Sequence, residues 1–203
     1  MKFGLEKEFF LLDAESNPQL VPKDLSSDEC GWLVEARGKP SSDPIESVFS
    51  LKASIYQEQQ RLDKYNQKND KSLQLSDQPV MKISRQLRTN AQRSYTKGLI
   101  SYQNLYGHET HRNSIQDGVH ITFSKAAAMT CDCRKYHEYY TNFDWPRIFK
   151  VLDQNFAEEI KASKRNPGFY ELKNLGLIEY RSLPANVDLD KVIQVLQEIN
   201  RNF

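Results

Sequence analysis

Glycine is scarce, with 8 residues in 203, and neither G-x-x-x-x-G-K-[ST] nor G-x-G-x-x-G occurs. A nucleotide bound by this chain is therefore not held by a glycine-rich phosphate loop. Cysteine is scarcer still: Cys30, Cys131 and Cys133 are an odd, sparse set, which argues against a disulfide scaffold and reads as free thiols in a reducing compartment. No apolar run approaches the ~20 residues that cross a bilayer. Residues 1–8 have neither an apolar signal region nor a small-residue cleavage site, so the expectation is a cytoplasmic protein without a membrane partner. No charge excess exists either, since 28 Lys+Arg against 27 Asp+Glu leaves +1. Nucleic-acid binding driven by whole-surface charge is thereby excluded, though a local patch is not.

What is present is enough for one core. Length predicts a single domain over 1–203, with hydrophobic residues at 38% and aromatics at 11% supplying it. Alternation over 2–12 and 31–37 predicts strands, and a third is expected over 79–88. Pro44, after Ser41-Ser42-Asp43, predicts a helix start. Ile45, Val48, Leu51, Ile55, Tyr56 and Leu62 form its apolar positions, and the pattern fades from Asn66. A weak helix around 91–105 precedes a polar loop. Residues 118–124 read as a clear strand. Asp144 is expected to cap one helix carrying Ile148, Val151, Leu152, Phe156 and Ile160. Strand pattern returns over 169–183, and a last helix follows Asp188. Interspersed strands and helices with few long crossovers imply an α+β class: a largely antiparallel sheet with helices on one face.

Four strands carry the chemistry, because residues two apart share a face. Glu6 and Glu8 share one face of the first strand, opposite Leu5, Phe9 and Leu11. Glu35 and Arg37 share a face of the second, opposite Val34 and Ala36. His120, Thr122 and Ser124 oppose Val119, Ile121 and Phe123 in the third. Glu179 and Arg181 oppose Ile178 and Tyr180 in the fourth. A solvated face explains any one strand. Together they set four glutamates, one histidine and two arginines on polar faces with few neutral residues between. Glu6 and Glu8, ~7 Å apart, would repel by roughly 2 kcal/mol at an effective dielectric of 20. A solvated face tolerates that, whereas a partly buried one needs cations. Carboxylates with one imidazole suit Mg²⁺ or Mn²⁺ better than structural zinc. Such ions beside arginines form an electrostatic clamp for a transferring phosphoryl group.

Gly4-Leu5-Glu6-Lys7-Glu8 resembles the G-x-E-x-E strand of the glutamine synthetase and glutamate–cysteine ligase superfamily. Gly118-Val119-His120-Ile121-Thr122-Phe123-Ser124 resembles its G-x-H-x-x-F-S type strand, and Ile178-Glu179-Tyr180-Arg181 its I-E-x-R strand. Val34-Glu35-Ala36-Arg37 with Pro40 is similar to the amidoligase E-x-R…P segment. The stretch from Gly168 through Lys173 to Arg181 is most similar to the compact carboxylate–amine ligases of phages. The four motifs stand in the family's order. Residues 50–115 have no counterpart, and no extra N-terminal β-domain is expected from these motifs. The resemblance implies a glutamine-synthetase-like catalytic domain that uses ATP to form an amide through an acyl phosphate. It implies that Glu8 and Glu35 bind the Mg²⁺ or Mn²⁺ nearer the carboxylate substrate. Glu6, His120 and Glu179 would bind the ion that orients the ATP phosphates. Arg181 would stabilise the transferring phosphoryl group, Arg37 would hold the carboxylate substrate as a bidentate pair, and Lys173 and Ser124 would contact the nucleotide. The implied partners are small-molecule or peptide carboxylates and amines, with nucleic acid only as a modified substrate. A homo-oligomer could complete the site, and a phage-encoded chain would act in the host cytoplasm.

Two other readings stay open: a guanidino-kinase-like phosphotransferase, which uses the same sheet type, and a non-catalytic ligand-binding relative. Weaker features are the His108-Glu109-Thr110-His111 loop, which lacks HExxH spacing, and Cys131-Asp132-Cys133 with His137, which lacks the spacing of structural zinc sites. Arg85, Arg88, Arg93 and Lys97, interleaved with Tyr95 and Tyr102, read as a solvated basic stretch or a phosphate-contact surface. Trp32 and Trp145, and the Tyr136, Tyr139, Tyr140 and Phe143 group, read as core or interface.

Overall fold

A computed structural model describes residues 1–27, 31, 33–78, 81–82, 114–115, 118–124, 145–163, 169–172 and 177–203. The elements are β1 (Lys2–Leu12), β2 (Pro18–Gln19), β3 (Leu33–Arg37), α1 (Pro44–Asn69), β4 (Gln74–Ser76), β5 (Met81–Lys82), β6 (Ser114–Ile115), β7 (Val119–Ser124), α2 (Trp145–Asn155), α3 (Ala157–Ser163), β8 (Phe169–Leu172), β9 (Leu177–Leu183) and α4 (Leu189–Asn202). The protein is α+β, with a largely antiparallel open sheet and helices. Among the described residues no helix is long and apolar enough to cross a membrane. The weak helix over 91–105, the His108–His111 loop, the basic stretch from Arg85 to Lys97, the 131–143 cluster, Trp32, Asp144 and Lys173 lie outside the described residues, as does all of the expected 79–88 strand except β5.

The chain divides into two compact units, each assembled from discontinuous segments. Unit 1 comprises Met1–Lys7, Ala36–Ile55 and Gly118–Phe203. Its sheet is an antiparallel series in which β7 pairs with the first half of β1 and with β9, and β9 with β8. Alternation sorts the side chains. Phe3, Leu5, Ile121, Phe123, Ile178 and Tyr180 are buried on one face, each contributing roughly 1.5–3 kcal/mol. Phe149 of α2 closes that face, edge-on to Phe123 at 6.3 Å between centroids and stacked on Tyr180 at 5.6 Å. Helix α4 begins where expected: Asp188 accepts from Asp190 N–H at 2.9 Å, and Val192, Val195, Leu196 and Ile199 are buried.

Unit 2 comprises Glu8–Glu35 and Tyr56–Asp117. Here the second half of β1 pairs antiparallel with β2 and with β4. The β1–β2 turn is held by Asp13 Oδ1, which accepts from the backbone N–H of Glu15 and of Asn17. Glu58 of α1, 3% exposed, accepts from Ser26 N–H, Ser26 Oγ and Arg61.

Two expectations need correction. The apolar stripe over 145–160 is not one helix, because it breaks at Phe156 into α2 and α3. Asn155 turns its amide back onto Val151 O at 2.9 Å, a local bond that competes with regular helix. The hydrogen bond from Ile160 N–H to Phe156 O nevertheless carries the register onward. In α1, Ile45 and Tyr56 are not buried: they and Phe49 are the exposed large hydrophobics among the described residues. At about 100° per residue these three lie on a stripe separate from the buried Val48, Leu51 and Leu62.

Candidate metal centre

Register and pleat assemble the site within unit 1. Glu6 pairs directly with His120, and Thr122 pairs with both Gly4 and Glu179. Directly opposed residues share a face, as do residues two apart, so Glu6, His120, Thr122 and Glu179 lie together, opposite the Phe123–Tyr180 face. The β7–β9 ladder then shifts: Ile121 pairs with Tyr180 but Val119 with Leu183. Two residues of β9, Arg181 and Ser182, stand opposite the single β7 residue His120, which is a bulge. Bulges re-aim side chains beside functional sites. This one directs Arg181 Nε onto His120, donating to Nε2 at 3.3 Å.

His120 is fully buried. Its Nδ1 lies 2.7 Å from Glu6 Oε1 and 3.0 Å from Glu179 Oε1. Because Nε2 accepts from Arg181, hydrogen-bond matching assigns the ring proton to Nδ1, where it serves both carboxylates. Each carboxylate also meets an arginine: Arg37 Nε is 3.5 Å from Glu6 Oε2, and Arg181 Nε is 3.4 Å from Glu179 Oε1. Two carboxylates within 4.8 Å would otherwise repel by roughly 3–4 kcal/mol at an effective dielectric of 20. The arginines and the imidazole N–H offset that repulsion.

The donor set fits a hard divalent cation. One ligand atom from each of Glu6, His120 and Glu179 lies within 4.8 Å of the other two. Opposite ligands of Mg²⁺ stand about 4.2 Å apart, so a sub-ångström closure places all three on one ion. Two carboxylates with one imidazole favour Mg²⁺ or Mn²⁺. Glu6 is the most open of the three, at 22%.

Glu8, Glu35 and Ser124 are not members of this cluster. Glu8 and Glu35 belong to unit 2, and both are buried. Ser124 pairs with Lys2 through its backbone. Sequence reasoning missed two features. Lys7, on the apolar parity of β1, is buried, and Ser182, also buried, sits in the bulge beside Arg181. Lys7 carries a detectable signal, a cation among alternating apolar residues. Ser182 carries a faint one, because the apolar positions move from even numbers (Ile178, Tyr180) to an odd one (Leu183) across it. Comparison of the chain with protein-family models, with curated proteins and with solved structures finds no match.

Proposed function

We propose that this chain is an ATP-dependent carboxylate–amine ligase with a glutamine-synthetase-like sheet. The observation that carries the reading is the Glu6–His120–Glu179 donor set, with His120 and Glu179 buried and an arginine on each carboxylate, on strands whose motifs resemble that superfamily. In this reading Glu6, His120 and Glu179 hold Mg²⁺ or Mn²⁺, and the ion supplies neutralising charge for the ATP phosphates. Arg181 stabilises the phosphoryl group in transfer. Arg37 grips the substrate carboxylate, for which a guanidinium offers paired donors. The carboxylate oxygen attacks the γ-phosphorus as ADP leaves, and the amine then displaces inorganic phosphate from the acyl phosphate. The roles of Glu8 and Glu35 as ligands of a second ion, and of Lys173 and Ser124 at the nucleotide, rest on the resemblance alone. So do the substrate class of small or peptide carboxylates and amines, the cytoplasmic setting and a homo-oligomeric assembly.

The test is amine-dependent ADP release with Mg²⁺, together with the mass of the product. An amide product supports the ligase, whereas a phosphorylated nitrogen acceptor replaces it with a phosphotransferase. Glu6→Gln and Glu179→Gln each remove one charge while conserving shape, and each is expected to lower the rate by about 100-fold or more. Full activity in either variant removes that residue from the site.

A further inference from the structure

The arginines that balance the cluster also obstruct it. Arg181 Nε contacts both Glu179 Oε1 and His120 Nε2, and Arg37 contacts Glu6, so both carboxylates of the donor set already carry a cation. The Arg181–His120 bond further requires a bare Nε2 lone pair. Nδ1 is the ring nitrogen that faces both glutamates and is thus the one available to an ion shared with them. A neutral ring that coordinates through Nδ1 carries its proton on Nε2, and that tautomer cannot accept from Arg181. A metal on Nδ1 and the observed Arg181 contact are therefore mutually exclusive.

We propose that Arg37 and Arg181 are built-in counter-ions that keep a lone divalent cation out, so that this site takes its cation together with a polyphosphate oxyanion. The released Arg181 guanidinium then pairs with the oxyanion, as a planar donor suited to phosphate, while Arg37 is released from Glu6 toward the substrate carboxylate. The inference rests on reading Glu6–His120–Glu179 as a metal site, and it adds a binding order to that reading. Linkage makes the coupling reciprocal: the oxyanion tightens the metal by the factor by which the metal tightens the oxyanion.

The experiment measures Mn²⁺ binding to the full chain by calorimetry and electron paramagnetic resonance, with and without inorganic tripolyphosphate. In the unaltered protein, tripolyphosphate is expected to tighten Mn²⁺ by roughly 5- to 150-fold. Arg181→Gln is expected to bind Mn²⁺ alone more tightly than the unaltered protein and to lose most of the tripolyphosphate effect. Arg37→Gln should likewise bind Mn²⁺ alone more tightly. Its side chain is 66% exposed, so this variant folds even where Arg181→Gln does not. Equal Mn²⁺ affinity with and without tripolyphosphate in the unaltered chain overturns the counter-ion inference and leaves the metal site standing. Absence of Mn²⁺ binding to all three proteins under both conditions overturns the metal site itself. Unchanged tripolyphosphate-dependent binding in Glu6→Gln assigns the ion to other ligands and also overturns the proposal.

Discussion

Glu179 and Tyr180 are neighbours in β9 that face opposite ways, and the two faces have opposite chemistry. Glu179 joins the polar cluster. Tyr180 is buried beneath α2, with its hydroxyl donating to Asp153 Oδ1 at 2.5 Å. Burial, and then the hydrogen bond to Asp153, raise the phenol well above its ordinary range, with a hydrogen bond involving Ser182 opposing them. An unfolded tyrosine ionises near pH 10, while folded Tyr180 keeps its proton. Above pH 10 the unfolded state therefore binds fewer protons, and stability falls as pH rises, by up to ~1.4 kcal/mol per unit from this residue. Below pH 10 its contribution is fully present. Tyr180→Phe should lose about 1 kcal/mol near neutrality for the missing hydrogen bond and should lack the alkaline slope. Urea titrations at pH 8 and pH 11 check both parts; equal alkaline losses in the two proteins would assign the slope to other tyrosines. On the polar face, His120→Ala deletes the N–H shared by Glu6 and Glu179 and leaves a buried void. The expected cost in unfolding free energy is about 2–4 kcal/mol without metal, larger than that of Glu6→Gln, which removes one of the repelling charges. A cost for His120→Ala below that of Glu6→Gln would mean the imidazole is not what holds the carboxylates together.

The close approach of the β3 end to α1 depends on one glycine. Gly38 N–H donates to Leu5 O at 2.8 Å, and a Cβ added there would lie 2.8 Å from Leu51 N and 3.1 Å from Ser47 O. Both are helix backbone atoms that cannot rotate aside, so Gly38→Ala should destabilise by roughly 1–3 kcal/mol. At Gly4, within the G-x-E-x-E segment, a Cβ meets Thr122 Cβ and Pro40 Cγ at 3.6 Å, which is ordinary contact. Gly4→Ala should stay within about 0.5 kcal/mol of the unaltered protein. Thermal melts of the pair separate close packing from motif membership, and equal losses would contradict the geometry. Elements like these differ in how readable they are. The pleat of β1, β7 and β9 was legible because a period of two forces Glu6, His120 and Glu179 away from Phe3, Ile121 and Tyr180. The α4 start was legible because Asp188 precedes a regular apolar stripe. The β9 bulge was not, since the one residue that betrays the parity shift, Leu183, directly precedes Pro184, where the strand pattern ends anyway. The break at Phe156 was not, because no Pro or Gly marks it and the stripe runs on to Ile160. The exposed Ile45, Phe49 and Tyr56 were hidden because apolar character alone does not say which of two helix faces is covered.

Length predicts a single domain over 1–203, and the compact units within the chain are discontinuous in sequence: unit 1 draws on residues from both ends of the chain and from the middle. Contact between distant segments is what defines such units, and no local pattern encodes it. The division has a functional consequence, because Glu6, Arg37, His120, Glu179 and Arg181 all fall within unit 1. A ligand that binds only the native state stabilises it by RT ln(1 + [L]/Kd), about 2.7 kcal/mol at a hundredfold excess over Kd. That gain appears in whichever cooperative unit must be intact for the ligand to bind. With Mn²⁺ and tripolyphosphate, amide exchange should slow in the first half of β1, in β7 and in β9, and stay unchanged in β2 and β4. Hydrogen-exchange mass spectrometry resolves these segments. An equal gain in every strand would show that the units open together as one cooperative structure. A gain confined to β2 and β4 would move the bound ion away from Glu6, His120 and Glu179 and remove the physical basis of the site.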